Sequence, residues 1–305
     1  MGCAVRLLIL NRGEPMEKMQ IKMDDGFLVS AALYEVENPK ALVQIIHGAV
    51  EYKGRYEKIA RFLQKNGYNV LVSDNRGHGE SVNDKYPLGY MNDVYRMVQD
   101  QVEISRWLKE RYSEMPLYLI GHSLGSIIAR LYLQEHDKDI KRLVLSGTVP
   151  FIPASGAGAL FGKLVVKLDG EMGHNKLLLK LSGIGGEDDS WLVSNKESLE
   201  AYRKDPYCGY EYPNISTLTM IQSVYELHNF KAFKVQNPTL PILCISGSKD
   251  PITGGEKGLK RIEDDFRKLG YLGMINKVYE GMCHEVLNEV EREKVYADIL
   301  EFFER

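Results

Sequence analysis

The sequence lacks the features that mark nucleic-acid-binding, membrane-spanning and disulfide-stabilised proteins. Its 39 lysines and arginines are outnumbered by 42 aspartates and glutamates, which gives a net charge of −3 at pH 7. This balance excludes the basic surface expected of a nucleic-acid-binding domain. No apolar run approaches the roughly 20 residues that cross a bilayer. The four cysteines have no C-x-x-C spacing, so we expect reduced thiols in a cytoplasmic protein and no zinc site.

Residues 1–15 are predicted to be an N-terminal extension of the folded part. The apolar stretch at residues 4–10 is broken by Arg6 and is short for the core of a signal peptide. Gly2 fits the start of a myristoylation signal, but Arg6 stands where that signal needs serine or threonine. We therefore expect no targeting role for this extension.

Short apolar runs alternate with stretches of helical periodicity over most of the chain. The runs predicted to be strands cover residues 41–48, 68–74, 117–121, 142–148, 240–247 and 275–281. The helical patterns cover residues 56–63, 94–108, a stretch from Ser126 onward, 257–269 and 286–303. Apolar strands separated by helices predict an α/β fold with a mostly parallel sheet covered on both faces. Asp25-Gly26 predicts a hairpin within residues 21–36 and so an antiparallel edge.

The alternation of strand and helix stops between residues 151 and 235. This region contains many large apolar and aromatic residues, which disfavour a disordered loop. We predict a cap, or lid, at residues 151–235, inserted between two parts of an α/β core at residues 16–150 and 236–305. A chain of 305 residues is long enough for one large core with an inserted subdomain.

The stretch "LYLIGHSLGS" places one serine between two glycines, where a predicted strand meets a predicted helix. Glycine at positions 121 and 125 permits a sharp turn that lifts the Ser123 hydroxyl out of the sheet, as in the G-x-S-x-G nucleophile elbow. The following helix directs its positive dipole end at the same place. The pentapeptide alone also fits an ordinary Gly-Ser turn, but the strand before it and the helix after it favour a nucleophile.

A serine nucleophile needs a base and an acid, expected in the chain order Ser, Asp or Glu, His. His284 follows the last predicted strand and precedes the last helix, which makes it the candidate base. Asp250 follows the strand before that one and is the candidate acid, although aspartate before proline is also common in turns. Glu280, at a strand end close to His284, is the competing acid.

An oxyanion formed at this serine needs two backbone donors. The N–H of Leu124, directly after the serine, is the first. The second is expected in the loop after an early strand, where Gly48 lets the backbone turn and the N–H of Ala49 can face the cleft. We expect His47 to brace this loop and not to transfer protons.

Five motifs resemble, in sequence and in order, those of α/β-hydrolases of the monoacylglycerol lipase and lysophospholipase branch: "HGAVEYKGRY", "SDNRGHGES", "GHSLGS", "SGSKDPIT" and "GMCHEVLNE". Members of this group often carry the label serine aminopeptidase-like hydrolase. The resemblance spans residues 20–304 and implies eight strands, with a mainly helical cap between strands six and seven. It also implies a triad of Ser123, Asp250 and His284, with oxyanion donors at Ala49 and Leu124.

One position departs from the family motif. The early motif commonly reads HGxxEHxxRY, and here Tyr52 stands where the second histidine would be. The triad is unaffected, but the substrate contacts at the entrance differ. In "DNRGHGES", Gly77 and Gly79 indicate a structural loop at the border of the site.

These residues predict acyl transfer on small carboxylic esters, such as monoacylglycerols or lysophospholipids, through an acyl-enzyme intermediate. This chemistry requires no metal and no organic cofactor. An aminopeptidase is the alternative on the same fold, and it would need an acidic group in the cap. The candidates are Glu171, Glu187, Asp188 and Asp189. A non-catalytic ligand-binding protein is the remaining alternative, although such proteins usually lose a member of the triad.

Apolar residues of the cap are candidates for an acyl-chain pocket. We single out Phe161, Leu164, Leu168 and Leu178, because each buried methylene contributes ~0.8 kcal/mol and so selects chain length. The same residues also fit simple packing of the cap onto the core. The interleaved lysines at positions 163, 167 and 180 fit at most a peripheral contact with lipid surfaces, or a solvated helix face.

Overall fold

The computed structural model describes residues 16–183 and 189–305. The predicted extension at residues 1–15 and two acidic candidates of the cap, Glu187 and Asp188, therefore lie outside the described residues. The strands of the described residues form one sheet in the order β1-β2-β4-β3-β5-β6-β7-β8. They are β1 (Met16–Lys22), β2 (Leu28–Tyr34), β3 (Ala41–Ile46), β4 (Tyr68–Ser73), β5 (Leu117–His122), β6 (Arg142–Ser146), β7 (Ile242–Gly247) and β8 (Met274–Tyr279).

The sheet is mostly parallel, as predicted. β1 pairs antiparallel with β2, and β2 pairs antiparallel with β4, whereas the other neighbouring pairs are parallel. The turn between β1 and β2 includes Gly26 with φ 83°, a value that glycine adopts without strain. The predicted hairpin at the antiparallel edge is therefore confirmed.

The helices of the described residues cover both faces of the sheet or lie in the region predicted to be the cap. They are α1 (Glu57–Lys65), α2 (Val94–Arg111), α3 (Leu124–His136), α4 (Ser155–Asp169), α5 (Lys176–Ser182), α6 (Lys196–Lys204), α7 (Asn214–Glu226), α8 (Gly255–Leu269) and α9 (Arg292–Glu304). Apolar residues of α2, α3 and α8 form one cluster with one sheet face, and those of α1 and α9 form a second cluster.

Side chains of the central strand β3 alternate between these two clusters. Leu42 and Ile46 belong to the first cluster, and Val43 and Ile45 belong to the second. This alternation follows from the two-residue period of a strand, and burial on both faces explains why the run is apolar throughout. Each of these side chains contributes about 2 kcal/mol when fully buried.

The parallel register brings the carboxyl ends of the central strands to one edge. Ile46 at the end of β3 pairs with Gly121 of β5, and His122 at the end of β5 pairs with Ser146 of β6. Ser146 in turn pairs with Ile245 of β7. The loops that leave these strands therefore start close together, which is where a site is expected in an α/β sheet.

The helices α4, α5, α6 and α7 lie between β6 and β7 in the chain, as the family resemblance implied. Residues of α4, α5 and α7 enclose a small apolar core formed by Ala159, Val165, Leu178, Leu218 and Ile221. Other residues of α7 belong to the large core cluster of the sheet, so α7 packs against both. No helix within the two described ranges combines the length and apolar character needed to span a bilayer.

Several helix starts differ from the prediction by one to six residues, and two of them lie close to the candidate site. The helix after the serine motif begins at Leu124 and not at Ser126, because the turn at Ser123 is completed within one residue. The last helix was predicted from residue 286, but a short 3-10 turn covers Val286–Asn288 and α9 begins at Arg292. Between this turn and α9, the Glu289 carboxylate accepts the backbone N–H groups of Ser194 and Cys283. These bonds tie Glu289 to other segments, and the helix begins only after it.

Candidate active site

A sharp turn at Ser123 separates β5 from α3. Ser123 has φ 50° and ψ −115°, a conformation that side chains rarely adopt, and its N–H donates to the carbonyl of Ser146 at 2.9 Å. A Cβ on Gly125 would overlap the Ile46 carbonyl oxygen, and a Cβ on Gly121 would overlap the Gly125 carbonyl. Both glycines are therefore needed for the turn, which leaves Ser123 half-buried at the carboxyl edge and has the form of a nucleophile elbow.

Asp250 and His284 come together in the loops after β7 and β8. Nδ1 of His284 lies 3.0 Å from Oδ2 of Asp250, and both side chains are buried. Asp250 also accepts hydrogen bonds from the Thr253 hydroxyl at 2.7 Å and the Ile252 N–H at 2.8 Å. Burial alone would raise the pKa of Asp250, but the facing imidazole and these donors lower it to about 2. The carboxylate is therefore charged at neutral pH and can orient the imidazole.

The imidazole of His284 lies beside the ends of β5 and β6, close to the Ser123 turn. The rings of His122 and His284 lie 4.8 Å apart between centroids. A Cβ on Gly147, just beyond β6, would lie 2.7 Å from Cε1 of His284, so the missing side chain makes room for the ring. In the described part of the chain no hydrogen bond engages the Ser123 hydroxyl, and contacts of this kind often tighten only with substrate. The competing acid Glu280 is exposed beyond β8.

The two amides predicted to bind an oxyanion lie beside this turn. The N–H of Leu124 opens α3 and has no preceding helical carbonyl to bond. The amide of Ala49 lies in the loop after β3, where a Cβ on Gly48 would be 3.2 Å from the Cβ of Ser123. Neither amide donates to an acceptor among the described residues, so both remain able to donate to a substrate oxygen.

His47 orients the peptide that carries the Ala49 amide. Its Nε2 accepts the N–H of Asn75 at 2.8 Å, so Nδ1 carries the proton and donates to the Gly48 carbonyl at 2.8 Å. A trans peptide holds its C=O and N–H on opposite sides, so this bond directs the Ala49 N–H away from His47. Burial lowers the pKa of His47 to about 3 and keeps the ring neutral. The expectation that His47 braces this loop is confirmed.

A buried ionic cluster connects the loop after β3 to the loop after β8, and sequence reasoning missed it. The Arg55 guanidinium lies 3.1 Å from Oε2 of Glu51 and also pairs with Glu285. Oε1 of Glu51 accepts the Gly48 N–H at 2.5 Å and the Tyr56 hydroxyl at 2.6 Å. Burial, together with the nearby charge of Glu285, raises the pKa of Glu51 to about 7. The four-residue spacing of Glu51 and Arg55 was visible in the sequence, but the pairing of Arg55 with Glu285 was not.

A cap segment that precedes α6 lies along the loop of the candidate base. The N–H of His284 donates to the Trp191 carbonyl at 3.2 Å, and the N–H of Glu285 donates to the Leu192 carbonyl at 2.7 Å. The ring of Trp191 lies 5.2 Å from the ring of His284. Sequence reasoning missed Trp191 because a single aromatic residue in an irregular segment carries no spacing signal.

The four cap residues predicted to bind an acyl chain have different environments. Leu178 is fully buried in the small core of the cap, and Phe161 packs partly buried against it. Leu164 and Leu168, in contrast, are 52% and 72% exposed on α4. Two of the four therefore contribute to cap packing and two face solvent, and their role in acyl-chain binding stays a prediction.

A groove of about 480 Å³ lies between the start of α2 and the cap helices α4 and α7. Its lining includes Tyr95, Leu160 and Tyr225, and none of the residues predicted to be catalytic. Among the described residues no three His, Cys, Asp or Glu side chains are grouped as metal ligands.

The chain is similar in sequence and fold to known lipases and esterases. A family model described as serine aminopeptidase, S33, matches residues 37–291. The chain is 28% identical to human monoglyceride lipase over 272 residues, which cover 88% of this chain and 84% of that protein. It is 24% identical to phospholipase YtpA of Bacillus subtilis over 269 residues, 86% of this chain and 95% of that protein. The structure matches a carboxyl esterase from Bacillus coagulans with a TM-score of 0.83 at 23% identity, covering 95% and 98% of the two chains.

We expect the Glu51→Gln variant to gain stability relative to the wild type as the pH rises. Glu51 titrates near 4.5 when unfolded and about 7 when folded, so its ionisation costs the folded wild type up to about 3 kcal/mol as the pH rises across that window. Glutamine keeps an oxygen acceptor without the charge. Urea unfolding of both proteins at pH 5 and pH 8 measures the effect.

The exposed carboxylate of Glu57 provides the control, since Glu57→Gln changes the same charge without burial. The stability difference between Glu51→Gln and the wild type is expected to shift with pH, and that of Glu57→Gln to stay nearly constant. An identical difference at both pH values for Glu51→Gln would contradict a raised pKa.

Proposed function

The chain belongs to the serine aminopeptidase S33 family of α/β-hydrolases and is a carboxylic ester hydrolase, and we propose that it cleaves monoacylglycerols or lysophospholipids through an acyl-enzyme on Ser123. The observation that carries this proposal is the buried pair of Asp250 and His284 at the sheet edge where the Ser123 turn lies. Similarity to a monoglyceride lipase and to a phospholipase supports the two substrate classes.

The proposed reaction has two acyl-transfer steps. His284 accepts the proton of Ser123 as its oxygen attacks the ester carbonyl, and the ionised Asp250 stabilises the imidazolium. The N–H groups of Ala49 and Leu124 donate to the tetrahedral oxyanion, and each such donor contributes roughly 3–4 kcal/mol. The bond to the leaving alcohol then breaks, and His284 returns the proton to that oxygen. Water repeats the sequence and releases the fatty acid.

Contacts in the cap favour esters over aminoacyl amides. An aminopeptidase needs a carboxylate that is available to the α-amino group of its substrate. Asp189 is instead bound by the Arg203 guanidinium through both carboxylate oxygens. Glu171 accepts the Tyr90 hydroxyl at 2.8 Å at an exposed position. These two described candidates are therefore poorly suited to bind an ammonium group.

A fluorophosphonate probe is expected to label the wild type and not the Ser123→Ala variant, because the probe phosphonylates an activated serine. Labelling of Asp250→Asn is expected to slow by roughly 10³- to 10⁴-fold, since the imidazole loses its orienting charge. The exposed Ser113 provides the control, and Ser113→Ala should label like the wild type. Folded wild type that resists the probe would favour a ligand-binding role instead.

Substrate class is tested with p-nitrophenyl esters from C2 to C16, beside an aminoacyl p-nitroanilide, a monoacylglycerol and a lysophosphatidylcholine. We expect turnover of the esters and of at least one of the two lipids, because the proposed oxyanion donors and triad act on the acyl carbonyl. Rates on the two lipids decide the head group. Turnover of the anilide without the esters would reverse the ranking of esterase over aminopeptidase.

The outer face of α4 has the character of a surface that touches lipid. Leu160, Leu164 and Leu168 recur every four residues, which places them on one stripe, and all three are exposed. Lys163 and Lys167 are exposed beside them. An apolar stripe flanked by lysines binds at the boundary of anionic headgroups and acyl chains. We therefore propose peripheral contact between α4 and lipid surfaces that hold the substrate.

The Leu160→Asp variant is expected to bind vesicles of anionic phospholipid roughly tenfold more weakly, because it places a charge where a leucine would be buried. Turnover of a soluble short-chain ester should not change. The matched control is Leu272→Asp, a leucine that is 76% exposed before β8, which should bind vesicles like the wild type. Co-sedimentation measures the affinity, and equal binding by all three proteins would rule out this surface.

A further inference from the structure

Val50 adopts a backbone conformation that valine normally avoids. Its φ of 48° lies in the left-handed region, where a β-branched side chain crowds the backbone. Such a conformation persists only where the surroundings hold it. Val50 directly follows Ala49, so whatever holds Val50 also sets the direction of the Ala49 backbone.

Both backbone polar groups of Val50 bond to the cap. Its N–H donates to the Tyr212 hydroxyl at 3.1 Å, and its carbonyl accepts the N–H of Gly209 at 2.9 Å. Tyr212 and Gly209 lie in the segment between α6 and α7. Among the described residues, no part of the α/β core bonds to these two groups of Val50. Val50, the strained residue of the loop after β3 that carries the Ala49 amide (the oxyanion loop), is thus held from the cap side.

The Tyr212 hydroxyl is itself held in one orientation. Nδ1 of His78 lies 3.0 Å from the Arg76 carbonyl and so carries the ring proton, which leaves Nε2 to accept the Tyr212 hydroxyl at 2.5 Å. The Tyr212 oxygen therefore keeps a lone pair for the N–H of Val50. Burial lowers the pKa of His78 to about 3, so this direction of donation holds at neutral pH.

We propose that Tyr212 is a positioning residue for the oxyanion hole, because it holds Val50 in the conformation that directs the Ala49 N–H at the substrate oxygen. Ala49 then lies between two fixed peptides, one held by His47 from the core and one held by Tyr212 from the cap. This inference rests on the proposed ester hydrolysis, in which the Ala49 amide stabilises the tetrahedral oxyanion. The cap thereby takes part in catalysis besides covering the site.

The Tyr212→Phe variant tests the inference because it keeps the ring and removes only the hydroxyl. Without that acceptor, Val50 is free to relax to negative φ and to turn the Ala49 peptide. We expect kcat to fall roughly 10- to 100-fold with KM nearly unchanged, because the oxyanion contact forms only in the transition state. The affinity for an alkyl boronate, whose serine adduct is tetrahedral, should fall by the same factor.

Tyr210 provides a matched control two positions earlier in the same segment. Its hydroxyl is buried and has no hydrogen-bond partner among the described residues. The Tyr210→Phe variant therefore removes the same atom without removing a bond to the oxyanion loop. We expect wild-type kcat, KM and boronate affinity for this variant.

A second substitution separates positioning from a general structural role. Glycine adopts positive φ without strain, so in a Val50→Gly background the loss of the Tyr212 hydroxyl should cost several-fold less kcat. A purely structural role for Tyr212 predicts the same loss in both backgrounds. Thermal unfolding of each variant shows whether it is folded. If Tyr212→Phe alone does not fold, the kcat of Val50→Gly/Tyr212→Phe is compared with that of Val50→Gly. A fall in kcat of roughly 100-fold between these two variants overturns the inference.

The outcomes distinguish this inference from the proposed function. A wild type that neither labels with fluorophosphonate nor turns over esters overturns the proposed function. An active wild type whose Tyr212→Phe variant behaves like Tyr210→Phe overturns the inference alone. If Tyr212→Phe lowers kcat equally with and without Val50→Gly, the inference is also overturned. A smaller fall in kcat in the Val50→Gly background supports it.

Discussion

The start of α3 lies so close to the ends of β3 and β5 that the backbone there leaves no room for side chains. Any Cβ on Gly125 would overlap the Ile46 carbonyl, and this close approach forces the chain to turn within a single residue. That residue is Ser123, which has a φ of 50°. Asp250 and His284 pair in the loops after β7 and β8, and the ring of His284 lies 4.8 Å from that of His122, which directly precedes the turn.

Burial gives the ionisable groups around the turn different properties. His47 and His78 have pKa values lowered to about 3 by burial, so they act at neutral pH as fixed donors and acceptors and not as proton carriers. Asp250 remains a carboxylate because an imidazole and two donors face it. Burial, together with the charge of Glu285 on the same guanidinium of Arg55, raises the pKa of Glu51 to about 7. Neighbouring groups with similar chemistry thus take different roles.

The cap contacts the backbone of both loops that flank the Ser123 turn. One cap segment bonds to the loop of His284 through the carbonyl of Trp191, and another bonds to Val50 through Gly209 and Tyr212. A movement of the cap would therefore disturb the candidate base and the oxyanion loop together. The cap and the backbone of both loops are physically connected by these hydrogen bonds.

Local spacing in the sequence was sufficient for the α/β class, the hairpin edge and the serine turn, because periodicity and glycine act within a few residues of themselves. The order of strands also explained why residues after different strands could share one edge. The bond from Val50 to Tyr212 joins residues 162 positions apart, and that from Arg55 to Glu285 joins residues 230 apart. Such contacts were decided only by the docking of the cap and the loops, since hydrogen-bond partners are set by distance in space and leave no period in the sequence.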